Sequence, residues 1–79
     1  MKIYKFNGKC NASGERVRLE REKAGLSQEK FAAKLQLLGL DITQKAVSRI
    51  ETGDRVVADY ELVAIAKALD VSVEYLLNI

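Results

Sequence analysis

From Ser13 onward, apolar residues recur at helical spacing in five short runs divided by Gly, Ser, Thr or Asp. The first predicted helix opens at a Ser13 cap and runs to about Ala24, with Gly25 as its stop. Val17, Arg21 and Ala24 share its inward face, which sets an arginine in the middle of an apolar stripe. Ser27 is placed to cap a second helix whose stripe is Phe31, Ala32, Leu35 and Leu38, ended by Gly39. Thr43 caps a third, with Val47 and Ile50 inward and Gly53 as stop. Asp59 caps a fourth, with Leu62, Ile65, Ala66 and Leu69 inward. Asp70 ends it, a residue type that tolerates the left-handed backbone. Ser72 opens a short fifth helix in "VEYLLNI". Helices this short do not persist alone in water, so the five stripes must share one core. The expected fold is all-α, a compact five-helix bundle over residues 13–79 behind a short N-terminal arm over 1–12. Within that arm "KIYKF" has strand-like content and "NGKCNASG" is turn-rich; a frayed arm is expected, with pairing to a partner chain as the other option.

Composition narrows the chemistry. Seventy-nine residues, 48% apolar and 30% charged, make one small globular domain with a modest core. No apolar run approaches a membrane span, and "MKIYKFNGKC" is too short and polar for a signal peptide, so a cytoplasmic location is expected. There is no histidine and a single cysteine, Cys10. Ser-His and Cys-His nucleophile pairs, His-containing zinc sites and an internal disulfide are therefore out of reach. Glu20 with Glu22, and Asp59 with Glu61, sit among basic or apolar neighbours on helices and read as helix charges rather than a catalytic dyad. The expectation is no enzyme, no cofactor and no metal. Charge is unevenly placed: residues 1–55 hold 12 of the 13 Lys and Arg and 7 of the 11 Asp and Glu, a net +5, which leaves −3 for residues 56–79. The first two-thirds of the chain could face a polyanion and the last third could not.

The third predicted helix, within "DITQKAVSRIETG", carries Gln44, Lys45, Ser48 and Arg49 on the face opposite Val47 and Ile50. A capped helix pair whose second member exposes amide, basic and hydroxyl groups has the makings of a helix-turn-helix, here about residues 28–52, and the second helix of such a pair enters the DNA major groove. A solvated helix face is the plain alternative for these four residues.

The phrases "RLEREKAGLSQEKFAAKL", "TQKAVSRIETGDR" and "ELVAIAKALDVSVEYLL" occur in order and cover nearly everything from Glu15 to Leu77. They resemble the Cro and lambda-repressor family of helix-turn-helix regulators. The resemblance implies a DNA-binding transcriptional regulator, expected to be a repressor, that binds double-stranded operator DNA as a homodimer. It puts Gln44, Lys45, Ser48 and Arg49 in the groove. It puts Gln28, Thr43, Thr52 and Arg55 at phosphates, and pairs Arg21 with Glu51 as a structural ion pair. Three departures from the family pattern stand out: the connection "QLLGLDI" is longer, Lys30 occupies a position often acidic, and Asp54 follows Gly53. The expected consequence of the first is an extended second helix or a wider loop. Tyr75, Leu76, Leu77 and Ile79 form one candidate dimer surface and "KIYKF" a second. An antitoxin or a protein-interaction module on the same fold is the rival reading.

Overall fold

The computed structural model describes residues 7–79. Five helices follow in order: α1 (Gly14–Lys23), α2 (Gln28–Leu37), α3 (Gln44–Thr52), α4 (Asp59–Leu69) and α5 (Val73–Leu77). Helix α3 packs on α1 and α2, while α4 closes the other side against α1, α2 and α5. Every helix sends at least one fully buried side chain to the common core: Val17, Phe31 with Leu35, Val47 with Ile50, Ile65 and Leu76. Each such aliphatic or aromatic side chain contributes about 1.5–3 kcal/mol by leaving water, which is what holds together helices too short to stand alone.

The caps explain where the helices start. The hydroxyls of Ser27, Thr43 and Ser72 accept from the backbone N–H groups of Lys30, Ala46 and Tyr75. Lys30 thus keeps half of a capping box and cannot supply the other half. Two expected caps are corrected. Ser13 is buried and its side chain caps nothing; the Asn11 carboxamide oxygen accepts the Gly14 N–H instead, at 2.8 Å. The Asn11 amide nitrogen also donates to the carbonyls of Ile50 (3.0 Å) and Arg55 (2.8 Å), and the Cys10 N–H donates to the Gly53 carbonyl. One short polar side chain therefore fixes α1 against the end of α3. The stretch "KIYKF" lies outside the described residues.

At α4 the cap position is Ala58, not Asp59, and the Glu61 carboxylate accepts the Ala58 N–H at 2.9 Å. Asp59 is instead the first helical residue, where a carboxylate suits the positive end of the helix. Glu61 is buried and also takes a two-pronged bond from Arg55, 2.9 Å on each arm. The Arg55 fork, with the Ala58 N–H behind it, holds the Glu61 carboxyl below its ordinary value of 4.5. A lowered folded pKa means stability that is present above the unfolded value and lost as pH falls through the folded one. Urea unfolding followed down from neutral pH should show the wild type losing stability below about 4.5, and Glu61→Gln should lose visibly less over the same descent.

Two apolar positions also differ from expectation. Ala24 lies just past α1 and is exposed, and Leu38 is 49% exposed. The long connection accounts for Leu38. Helix α2 runs on to Leu37, Gly39 takes φ +90°, and the chain returns to the core with Leu40 and Ile42, both buried. The Gln36 side-chain amide crosses the turn to the Ile42 carbonyl at 2.8 Å. The wider turn is thus bolted in place from both sides, and Ile42 takes the inward role that the stripe assigned to Leu38.

Arg16, on α1, is half-buried. Its guanidinium lies 4.5 Å from the Tyr75 ring centroid and donates to the Tyr75 carbonyl and the Asn78 side chain. The Tyr75 hydroxyl donates to Glu20 at 2.8 Å. These bonds clasp α5 onto α1. Leu76 is buried as well, so of the apolar C-terminal cluster chiefly Ile79 stands free, at 86% exposure.

Candidate nucleic-acid interface

Helix α3 divides cleanly into two faces. Val47, Ile50 and Glu51 are buried, whereas Gln44, Lys45, Arg49 and Thr52 are exposed and Ser48 is half-exposed. At 3.6 residues per turn, Gln44, Lys45, Ser48, Arg49 and Thr52 occupy about 140° of the circumference. The buried side locks the helix, and the exposed side presents one amide, two cations and two hydroxyls. Thr43 caps the helix with its oxygen and is itself exposed, leaving its hydroxyl proton free to donate outward. No acidic residue stands in the first turn of α3, unlike α1, α2, α4 and α5. Its positive end therefore stays unneutralised and faces out, an arrangement suited to a polyanion.

Gln44 and Gln28 are not loose side chains. Arg21 and Glu51 meet in a buried two-pronged pair, Nε to Oε2 at 2.6 Å and Nη2 to Oε1 at 3.0 Å. Arg21 also donates to the Leu26 carbonyl at 2.7 Å, and Glu51 raises the already high pKa of Arg21. That is why an arginine can sit in the inward stripe of α1. Gln28 Nε2 donates to Glu51 Oε1 at 3.1 Å, and Gln44 Nε2 donates to Gln28 Oε1 at 2.9 Å.

This relay has a fixed polarity. A carboxylate accepts only, so Gln28 must turn its nitrogen to Glu51 and its oxygen to Gln44. Gln44 must then turn its nitrogen back to Gln28. What remains free on Gln44 is its carbonyl oxygen and one N–H, the acceptor–donor pair that matches the N6 and N7 edge of adenine. Gln28 keeps one N–H of its own, beside the start of α2. An amide that could otherwise present either end is set by a charge two residues away in the chain of bonds.

The remaining expected phosphate positions fare differently. The Thr52 hydroxyl lies 3.2 Å from the Arg49 carbonyl and 3.0 Å from the Asp54 carboxylate, so Asp54 is folded back on the end of α3. Arg55 spends its guanidinium on Glu61 and on the Val56 carbonyl, and its charge is cancelled locally. It ties the connection before α4 to that helix. Glu61, its partner, read from sequence as an ordinary helix charge; Arg55 six residues before it was the available hint. Asn11, hidden in a turn-rich segment, gave no periodic signal at all.

A pocket of about 620 Å³ beside the start of α1 is bounded by Lys9, Glu15, Glu51, Gly53, Leu77, Asn78 and Ile79. Among the described residues no group of acidic, cysteine or histidine side chains is arranged to hold a metal ion, and no helix is long and apolar enough to cross a membrane.

A family model described as helix-turn-helix matches residues 17–76, which spans all of α2, α3 and α4 and most of α1 and α5. The chain belongs to this family, the Cro/C1-type helix-turn-helix regulators. Its five helices and their order agree with the lambda-repressor-like fold. Membership makes it a DNA-binding regulator by class. No curated protein matches the chain.

Proposed function

We propose that this helix-turn-helix protein is a transcriptional repressor that binds an operator as a homodimer, with α3 in the major groove. The observation that carries the reading is the relay from Arg21 through Glu51 and Gln28, which ends on an exposed Gln44 with its base-edge donor and acceptor free. Lys45 and Arg49, exposed on the same face, donate to guanine or to backbone phosphate. Ser48, between them, accepts or donates at closer range. Gln28 with its remaining N–H and Thr43 with its hydroxyl proton flank the groove as phosphate contacts, whereas the Thr52 hydroxyl is already spent on the Arg49 carbonyl and Asp54. Arg55 is left to its ion pair. A two-fold pair of such domains presents two α3 helices about 34 Å apart, one turn of duplex.

Selection of genomic DNA fragments at physiological salt tests this. The wild type is expected to enrich a short palindrome whose half-site spacing reports the dimer. Gln44→Ala should lose about tenfold to a hundredfold in affinity for that palindrome and relax its preference at one base pair. Gln44→Ala with Lys45→Ala should enrich nothing. Binding should also weaken steeply with salt, since phosphate contacts release counterions. Failure of the wild type to enrich any sequence would sink the proposal.

A further inference from the structure

A second surface of the molecule carries unspent apolar area. On α4 the inward residues are Glu61, Ile65, Ala66 and Ala68, with Leu62 and Leu69 half-buried beside them. The outward arc holds Asp59, Tyr60, Val63 and Lys67, with Ala64 at its edge. At 3.6 residues per turn these four fall within about 100° of the circumference, centred close to Val63. Tyr60 is 67% exposed and Val63 45%, and Val56, in the connection just ahead of the helix, is also about half exposed at 49%. The charges bracket this apolar centre: an acid four residues before Val63 and a base four residues after it. Among the described residues neither Asp59 nor Lys67 has an ion-pair partner within the chain.

That arrangement is self-complementary in a particular way. A two-fold interface requires that if residue i meets residue j of the partner, j also meets i. Two α4 helices set antiparallel about an axis through Val63 bring Asp59 of each against Lys67 of the other, at both ends at once. Val63 then meets its own copy, and Tyr60 covers the apolar strip on either side. The shallow crossing common to packed helix pairs keeps both ends in register. Parallel pairing would set acid on acid and base on base. The C-terminal cluster offers less, because Tyr75 and Leu76 are already used within the chain.

We infer that the outward face of α4, Asp59–Tyr60–Val63–Lys67, is the surface on which a second copy of this chain docks, antiparallel about Val63. The inference rests on the homodimer named above and assigns its interface. One helix face is smaller than the roughly 800 Å² per partner of a standard stable interface, so association in free solution is expected to be weak and to depend on concentration.

The charge pattern supplies its own test. In a dimer of Asp59→Lys chains both bracketing pairs become base on base; in a dimer of Lys67→Asp chains both become acid on acid. Mixed one to one, the two variants regain opposite charges at both ends. Sedimentation equilibrium of the full chain, without DNA, should find each variant alone associating about tenfold more weakly than wild type. The mixture should return to nearly wild-type association, as a heterodimer. Both positions are exposed, and circular dichroism checks that each variant is folded. Tyr60→Lys, at an equally open position, should abolish association without any rescue on mixing. A monomeric wild type would overturn the inference, as would variants that associate like wild type or a mixture no tighter than its components. Gln44→Ala should leave all of these values unchanged. Failure of the wild type to select any DNA alongside an intact charge-swap pattern would therefore defeat the operator reading and spare this one.

Discussion

Replacing Glu51 with alanine is expected to destabilise the domain by about 3–5 kcal/mol. The cause is the charge left behind. Arg21 and Glu51 have side chains only 11% and 2% exposed, and Arg21 cannot shed its proton. Burying two ions costs nearly as much as their attraction returns, so the pair adds little net stability while intact. Removing one member strands the other in a poorly solvated site. A domain of this size holds on the order of 5–10 kcal/mol in total, so Glu51→Ala should melt tens of degrees lower or fail to fold at ambient temperature. Replacing both partners, Arg21→Met with Glu51→Met, should cost much less than Glu51→Ala alone. Thermal melts of the two variants decide the matter, and a double variant as unstable as the single would show that packing, not stranded charge, sets the cost. Glu51→Gln probes the relay itself. An amide offers one accepting oxygen and a donor in place of two acceptors, so it cannot keep all three bonds from Arg21 and Gln28 and no longer forces the Gln28 amide, and Gln44 with it, into one orientation. DNA affinity should fall although residue 51 stays out of the groove.

That coupling separates what could be read along the chain from what could not. The helices were legible because their signals are local: a hydroxyl before an apolar stripe, a stop after it. Ser27, Thr43 and Ser72 act as such caps, and Gly53 and Asp70 take the left-handed backbone that ends a helix. The outward face of α3 was legible for the same reason, since it is what Val47 and Ile50 leave over. Partnerships across the fold left no periodic trace. Asn11 bonds to residues 39 and 44 positions away, and Arg16 reaches Tyr75 and Asn78 across the whole domain. Arg55 could be placed near a phosphate by resemblance, but only the folded chain reveals Glu61 in front of it. Leu38 failed for a different reason. The stripe that starts at Phe31 predicts its position inward, yet the extended turn brings Leu40 and Ile42 into the core while Leu38 stays exposed. Local pattern fixes which face of a helix is apolar, and tertiary geometry decides how far along it the core extends.

The same contrast between local preference and tertiary geometry governs Gly14, the first residue of α1. By helix propensity alone Gly14→Ala should stabilise the protein by about 0.5–1 kcal/mol, since alanine loses less freedom on folding. The packing predicts the opposite sign. A Cβ on Gly14 would fall 2.2 Å from the Ile50 carbonyl oxygen and 2.9 Å from the Asn11 side-chain oxygen. Neither neighbour can give way freely. The Ile50 carbonyl belongs to α3 and accepts from Asn11 Nδ2, and the Asn11 oxygen is the cap of α1 itself. Making room means parting α1 from α3 and breaking the bonds through which Asn11 joins them. Overpacking of this kind costs about 1–3 kcal/mol, and each lost bond to a buried partner adds roughly 1 kcal/mol. Gly14→Ala is therefore expected to destabilise by about 3 kcal/mol or more. Gly25→Ala is the control. Gly25 has open space around it and a φ of +73°, so alanine there meets backbone strain of only about 1–2 kcal/mol. Urea unfolding of both variants separates the causes. If Gly14→Ala proves the milder change, α1 and α3 do not approach as closely as the geometry requires. If it is the harsher, the close approach that seats α3, and with it the Gln44 face, depends on a missing methyl group.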